Sequence, residues 1–174
     1  MSELRLPHLS ATGDARMVDV SDKAVTARSA TAAGTVLLSA ECVAALRDGT
    51  VPKGDALAVA RIAGIQGAKK TPDLIPLCHP LFLSGVDVTT EVTDEGVQIL
   101  ATVKTTDRTG VEMEALTAVS VAALAVIDMV KAIDRAATIT DVRVLAKSGG
   151  RRGDWQRDQA DGVGPTDGSR AEQA

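Results

Sequence analysis

An α+β fold, an antiparallel sheet with helices packed on one face, is the class that this 174-residue sequence predicts. Two observations carry it. Adjacent segments at 86–92 and 97–103 alternate apolar and polar residues around a Gly-containing turn, and a long apolar helical segment follows them directly. Isolated extended segments on either side supply the remaining strands.

The elements follow in chain order. Residues 1–15 are polar and irregular and read as a flexible N-terminal segment. Val25 to Ser39 mixes β-branched and small residues around Gly34, which predicts one or two extended segments with a bend. Ser39 caps a short helix, Ala40 to Arg47, that stops at Asp48-Gly49. A second helix follows Pro52-Lys53-Gly54-Asp55 and runs to about Lys69, burying Leu57, Ala60 or the stem of Arg61, and Ile65. Thr71-Pro72 and Pro76 end it and predict an extended, irregular link.

Val86, Val88, Thr90 and Val92 then share one face of a strand. After Thr93-Asp94-Glu95-Gly96 its partner carries Val97, Ile99, Ala101 and Val103 on one face, which makes a half-buried hairpin. A helix from Val111 to about Asp134 and a strand from Ile139 to Leu145 complete a single domain over residues 16–148. Residues 149–174 hold six glycines among charged and small residues and read as a largely disordered tail. Strand, helices, two strands, helix, strand is the order of a ferredoxin-like sandwich.

Composition excludes several functions. Phe82 and Trp155 are the only aromatic residues and there is no Tyr, so bases have almost no rings to stack on. The net charge of −4 disfavours a general polyanion binder, and a small phosphorylated ligand fits better than a nucleic acid. The beginning of the chain lacks the apolar core of a signal peptide. The longest apolar run, Ala115 to Ile127, is 13 residues, short of the roughly 20 a membrane helix needs. Cys42 and Cys78 do not make a disulfide framework. The expectation is a cytoplasmic protein that binds neither membrane nor nucleic acid.

Charges at both ends of the apolar helix are the chemical signal, because an ionised group leaves water only at a cost of several kcal/mol unless it is paired or needed. Asp128 and Lys131, at i and i+3, are neighbours that can divide acid and base roles; the plainer alternative is a helix-terminal ion pair at the surface. Glu114 lies 14 residues before Asp128, about 21 Å along a helix axis, so one compact centre cannot easily use both from one chain. Glu112 and Glu114 point about 200° apart and do not form an aligned pair; acidic residues also simply favour a helix N-terminus.

Leu77-Cys78-His79-Pro80, in a proline-bounded loop, is a second candidate site. No second Cys or His lies at metal-ligand spacing, so no metal is assigned. Gly64-Ile65-Gln66-Gly67-Ala68-Lys69-Lys70-Thr71 superficially resembles a P-loop, but its spacing is wrong and its glycines follow a helix instead of joining a strand to one. Lys69 and Lys70 remain either phosphate contacts or ordinary helix C-terminal lysines. Convergence of further cations, among them Arg28, Lys53 and Lys147, would suit a triphosphate.

Seven blocks, taken together, add a resemblance. Met17-Val18-Asp19-Val20-Ser21, Lys53-Gly54-Asp55, the Ala63–Thr71 and Ile75–Pro80 segments, Thr109 to Thr117, Asp128-Met129-Val130-Lys131 and Lys147-Ser148-Gly149-Gly150 closely resemble the cyclic pyranopterin monophosphate synthases of molybdenum cofactor biosynthesis, over roughly residues 8–153. The resemblance implies an enzyme that rearranges 3′,8-cyclised dihydro-GTP to cyclic pyranopterin monophosphate and releases pyrophosphate. It implies Asp128 and Lys131 as the catalytic pair. Leu77, Cys78, His79, Met113 and Glu114 match substrate-binding positions, and Glu112 matches an active-site acid at the same substrate. Lys53, Lys69, Arg28 and Lys147 match basic positions for the triphosphate. It further implies a ferredoxin-like fold in a hexamer built from dimers, with sites at subunit interfaces. No cofactor is expected, and Mg²⁺ accompanying the triphosphate is left open. The competing class is a non-catalytic module that binds a phosphorylated metabolite and would not need Asp128.

Overall fold

In the computed structural model, which describes residues 12–151 and 153–158, the alternating segments become strands of one antiparallel sheet. The elements are β1 (Thr26–Leu37), α1 (Ala40–Arg47), α2 (Ala56–Lys69), α3 (Thr71–Leu74), β2 (Leu83–Val92), β3 (Gly96–Asp107), α4 (Glu112–Val130), β4 (Thr138–Ser148) and β5 (Trp155–Gln156). The sheet order is β2-β3-β1-β4-β5, and every neighbouring pair is antiparallel. Its first four strands have the ferredoxin-like arrangement, with the central pair β1 and β3 in register from Thr26–Asp107 to Leu37–Gly96.

Helices cover one face. α4 packs on β1, β3 and β4, and α2 packs on α4 and β2. Val97, Ile99, Ala101 and Val103 of β3 are buried beneath them with Ala30, Ala32 and Val36 of β1. Each valine removed from water in this way contributes roughly 1.5–3 kcal/mol. Few of these core residues are large, so the layers must approach closely. At Gly34 in β1 an added Cβ would stand 2.6 Å from Val119 Cγ1. At Gly64 it would meet Ala118 O at 2.9 Å, and at Gly67 the Val121 side chain at 2.8 Å. The two glycines of the P-loop-like segment therefore lie inside α2 and let its backbone press against α4. α4 is long and apolar enough by composition to cross a membrane, but its buried residues face the sheet and α2, the situation of a core helix.

Four differences from the sequence reading have local causes. The link after α2 is a short helix, α3, because Pro72 sits in its first turn, where a missing N–H breaks no helical bond. β1 is one continuous strand, and its irregularity around Gly34 takes the form of register shifts against β4 at Thr31/Ala32 and Ala33/Thr35. α4 stops at Val130, four residues before Asp134, whose carboxylate accepts the backbone N–H groups of Ser39 at 2.6 Å and Ala136 at 2.8 Å. Those bonds hold the chain out of the helix and keep the Asp134 carboxyl below its usual range. Trp155 and Gln156, in the segment read as tail, add β5 by pairing with Lys147 and Ala146. On α2 it is Ala60 that is buried, Arg61 is exposed, and Leu57 and Ile65 are partly buried. Residues 1–11, 152 and 159–174 lie outside the described residues.

Candidate active site

At the N-terminal end of α4 the loop after α3, the start of β1, the end of β4 and the segment before β1 enclose a cleft of about 1070 Å³. Arg28, Leu77, Cys78, His79, Glu112, Met113 and Glu114 all line it. Four separate stretches of sequence meet there because β1 and β4 are neighbours in the sheet and α4 begins against both.

Glu112 and Glu114 open α4, where the free N–H groups of the first turn favour acidic residues. They diverge as their spacing predicts, yet both border the cleft. Glu112 Oε1 pairs with Lys147 Nζ at 2.9 Å. Glu114 is 3% exposed and has no ion-pair partner among the described residues. Burial pushes its carboxyl above the usual range, and the charge of Glu112 adds to the effect. A carboxyl so placed holds its proton more readily than an exposed one, as a donor near neutral pH requires.

Cys78 is half-buried, and burial, followed by the charge of Glu114, pushes its thiol up. That favours the thiol over the thiolate and argues against a nucleophile. His79 Nε2 is 2.8 Å from Val18 O; a carbonyl only accepts, so Nε2 carries the proton. This bond ties the segment before β1 over the cleft, where Val18, Val20 and Lys23 join the lining. Arg28 Nε donates to Asp107 O at 2.9 Å, which steadies the guanidinium in the wall. Gly149 and Gly150, with φ of 82° and 81°, turn the chain tightly around Ala27 and Arg28.

At the other end of α4 lies a second cluster. Asp128 Oδ1 is 2.7 Å from Lys131 Nζ, and its Oδ2 is 2.9 Å from Lys53 Nζ, which also donates to Asp128 O at 2.7 Å. Hydrogen bonds from Lys131 and then Lys53 hold the Asp128 carboxyl down at about 2. All three side chains are exposed, at 58% for both Asp128 and Lys131 and 41% for Lys53. The pair has the surface geometry of a helix-terminal ion pair within this chain.

α4 runs unbroken from Glu112 to Val130, so the two clusters stay apart by about 20 Å. The structure thus brings together eight of the predicted residues at one end, counting Lys147 through its bond to Glu112, and three at the other. Lys69 joins neither; it is exposed on the last turn of α2. Lys23, Thr26, Thr109 and Arg151 line the cleft without having been singled out as candidates. Arg151 directly follows the Lys147–Gly150 block, which is the one sequence signal that pointed to it. Thr26 Oγ1 is buried there without a hydrogen-bond partner among the described residues. Among the described residues no three of His, Cys, Asp and Glu gather as metal ligands.

Comparison with known proteins places the chain in a family. The model of the MoaC family matches residues 17–150. The chain is 70% identical over 153 residues to a cyclic pyranopterin monophosphate synthase of Streptomyces avermitilis, covering 88% of this chain and 90% of the relative. It is 67% identical to the enzyme of that name from a Nocardioides species, covering 90% of this chain and 98% of the relative. It is 60% identical to cyclic pyranopterin monophosphate synthase 2 of Mycobacterium tuberculosis H37Rv, over 87% and 91% respectively. The matched region spans both charged clusters and every strand from β1 to β4, and the chain belongs to the MoaC family.

Proposed function

We infer that the chain is a cyclic pyranopterin monophosphate synthase, converting 3′,8-cyclised dihydro-GTP to cyclic pyranopterin monophosphate with release of pyrophosphate. The observation that carries the reading is the cleft, where a buried carboxyl, a half-buried thiol and a tautomer-fixed imidazole adjoin Arg28, Lys23, Arg151 and Lys147. Such a wall suits a ligand with a heterocycle at one end and a polyphosphate at the other. Closing the cyclic phosphate needs a hydroxyl oxygen to attack the α-phosphorus while the bond to the β-phosphate breaks. Cations that meet the charge on the leaving pyrophosphate lower that barrier.

Glu114 and Glu112 supply protonatable groups to the ring system from one end of α4. Asp128, Lys131 and Lys53 act at the same substrate from a second subunit. The separation along α4 supports that arrangement, since one compact centre cannot easily use both clusters from the same helix. Val59 and Ile62 of α2 and Leu124 of α4 are exposed, and such apolar residues suit burial between subunits. A trimer of dimers, working in the cytoplasm, completes the reading. The chain's own cations meet the triphosphate without a bound cofactor, and a Mg²⁺ ion entering with the substrate would add to the same charge balance.

Incubating the purified protein with the cyclised nucleotide and following pyrophosphate tests the reading. Product and pyrophosphate in equal amounts are expected. Binding without release would make the chain a ligand-binding module.

A further inference from the structure

We propose that Gly110 is a positioning residue for the reaction centre, holding open the space that the Glu112 carboxylate occupies beside Lys147; the proposal rests on the reading that this cleft is where the reaction occurs. The three atoms nearest to a Cβ built at Gly110 all belong to the Glu112 carboxyl: Oε2, Cδ at 2.8 Å and Oε1 at 3.0 Å. The carboxyl therefore folds back over the residue two places before it. Folded back in this way, Oε1 reaches Lys147 Nζ at 2.9 Å. Two anchors keep the site in place. Val111 between them is fully buried, and Lys147 belongs to β4.

The backbone does not require glycine here. Gly110 is absent from the positive-φ glycines, whereas Gly149 and Gly150 are among them and explain themselves by conformation. The Gly110 backbone is not in the left-handed region that favours glycine, so the first obstacle to a side chain there is the Glu112 carboxyl. The colliding atoms are also the free end of a flexible side chain. Rotation of Glu112 relieves the clash cheaply and leaves helix and sheet where they are. A methyl at 110 thus moves one charge away from Lys147 and does little else.

Kinetics on wild type, Gly110→Ala, Glu112→Gln and the double variant, together with a crystal structure of Gly110→Ala, test this. In Gly110→Ala, Tm should stay within about 3 °C of wild type, since nothing in the core changes. Its kcat should fall by about tenfold or more, the scale of a displaced acid–base group, with KM within about threefold because Lys147 remains for the phosphates. Adding Gly110→Ala to Glu112→Gln should cost no more than about twofold, because one group is being removed twice. The crystal structure should show Oε1 beyond ion-pair distance from Lys147 Nζ over an unchanged backbone. The inference is overturned if the ion pair persists in Gly110→Ala, if kcat is unaffected, if the losses add, or if the variant unfolds. Failure of the wild-type protein to release pyrophosphate would overturn the reaction assignment alone, and the position of the Glu112 carboxylate would still decide the role of Gly110.

Discussion

Lys147 Nζ stands 2.9 Å from Glu112 Oε1, joining the end of β4 to the first turn of α4 at the cleft. Neither side chain is more than about a third exposed, at 29% and 31%, so water can only partly replace one partner if the other is lost. Replacing Lys147 by Ala leaves Glu112 without its counter-charge and removes the cation that the proposed function assigns to the triphosphate. The stability cost should be about 1 kcal/mol, or a Tm lower by about 2–4 °C. KM should rise by about tenfold or more, since hydrogen bonds to charged groups contribute about 1.5–3 kcal/mol. Thermal melts and initial rates across substrate concentration read the two effects separately.

Glu114 makes a pH-dependent contribution of opposite sign to that of most carboxylates. Burial, then the charge of Glu112, raises its folded pKa above the ordinary 4.5. Between 4.5 and the raised value the folded state binds more protons than the unfolded one, so stability falls as pH rises through that window. Above it the chain carries a buried, unpaired charge. Glu114→Gln, of the same shape but neutral, should therefore melt higher than wild type at alkaline pH, with the advantage vanishing as pH falls below 4.5. The same variant should lose turnover. Paired melts across pH check this, and a constant Tm difference would remove Glu114 as a buried ionisable group.

Asp128 behaves in the usual carboxylate direction. Lys131 and Lys53 depress its folded pKa to about 2 from 3.8. Its contribution to stability is present above 3.8 and is lost as pH falls through about 2, far from neutrality. Asp128 is therefore ionised near neutrality, where its carboxylate accepts from Lys131 and Lys53. No limb of the kcat profile between about pH 5 and 9 should belong to it. Asp128→Asn should lower kcat uniformly across that range without moving its limbs, and should leave Tm within about 2 °C because the site is exposed. A limb that disappears in Asp128→Asn would overturn this assignment.

What could be read from the sequence divides along physical lines. The β2–β3 hairpin was legible because Val86, Val88 and Val97 to Val103 alternate with a period of two, a local property of the chain. The gap between Glu114 and Asp128 was legible too, since helical rise depends on residue count alone. The end of α4 was not, because it is set by Asp134 accepting from Ser39, 95 residues earlier. The purpose of Gly64 and Gly67 was hidden for the same reason: only the packing of α2 on α4 reveals it. Lys23 and Thr109 come to the cleft on irregular segments, which carry no periodicity to read. Lys69 illustrates the converse. It stands exposed on the last turn of α2, where a basic residue complements the helix dipole whether or not it also meets a phosphate.

A site shared between subunits makes a prediction about mixtures. Glu114→Gln damages the cleft end of α4 and spares Asp128 and Lys131; Lys131→Ala damages the other end and spares Glu112 and Glu114. Each variant alone should be nearly inactive. If two-fold-related chains complete each other's sites, a mixed dimer has one site carrying both lesions and one carrying neither. Random assembly of equal amounts then gives about half mixed dimers with half their sites intact, so activity should recover to about a quarter of wild type. The two proteins must be co-expressed, or unfolded and refolded together, so that chains exchange. If both clusters instead served separate chemistry within one chain, every chain in the mixture would keep its own lesion and no activity would return. Pyrophosphate release from the co-assembled sample, set against the two variants assembled separately, decides between a shared site and a self-sufficient subunit.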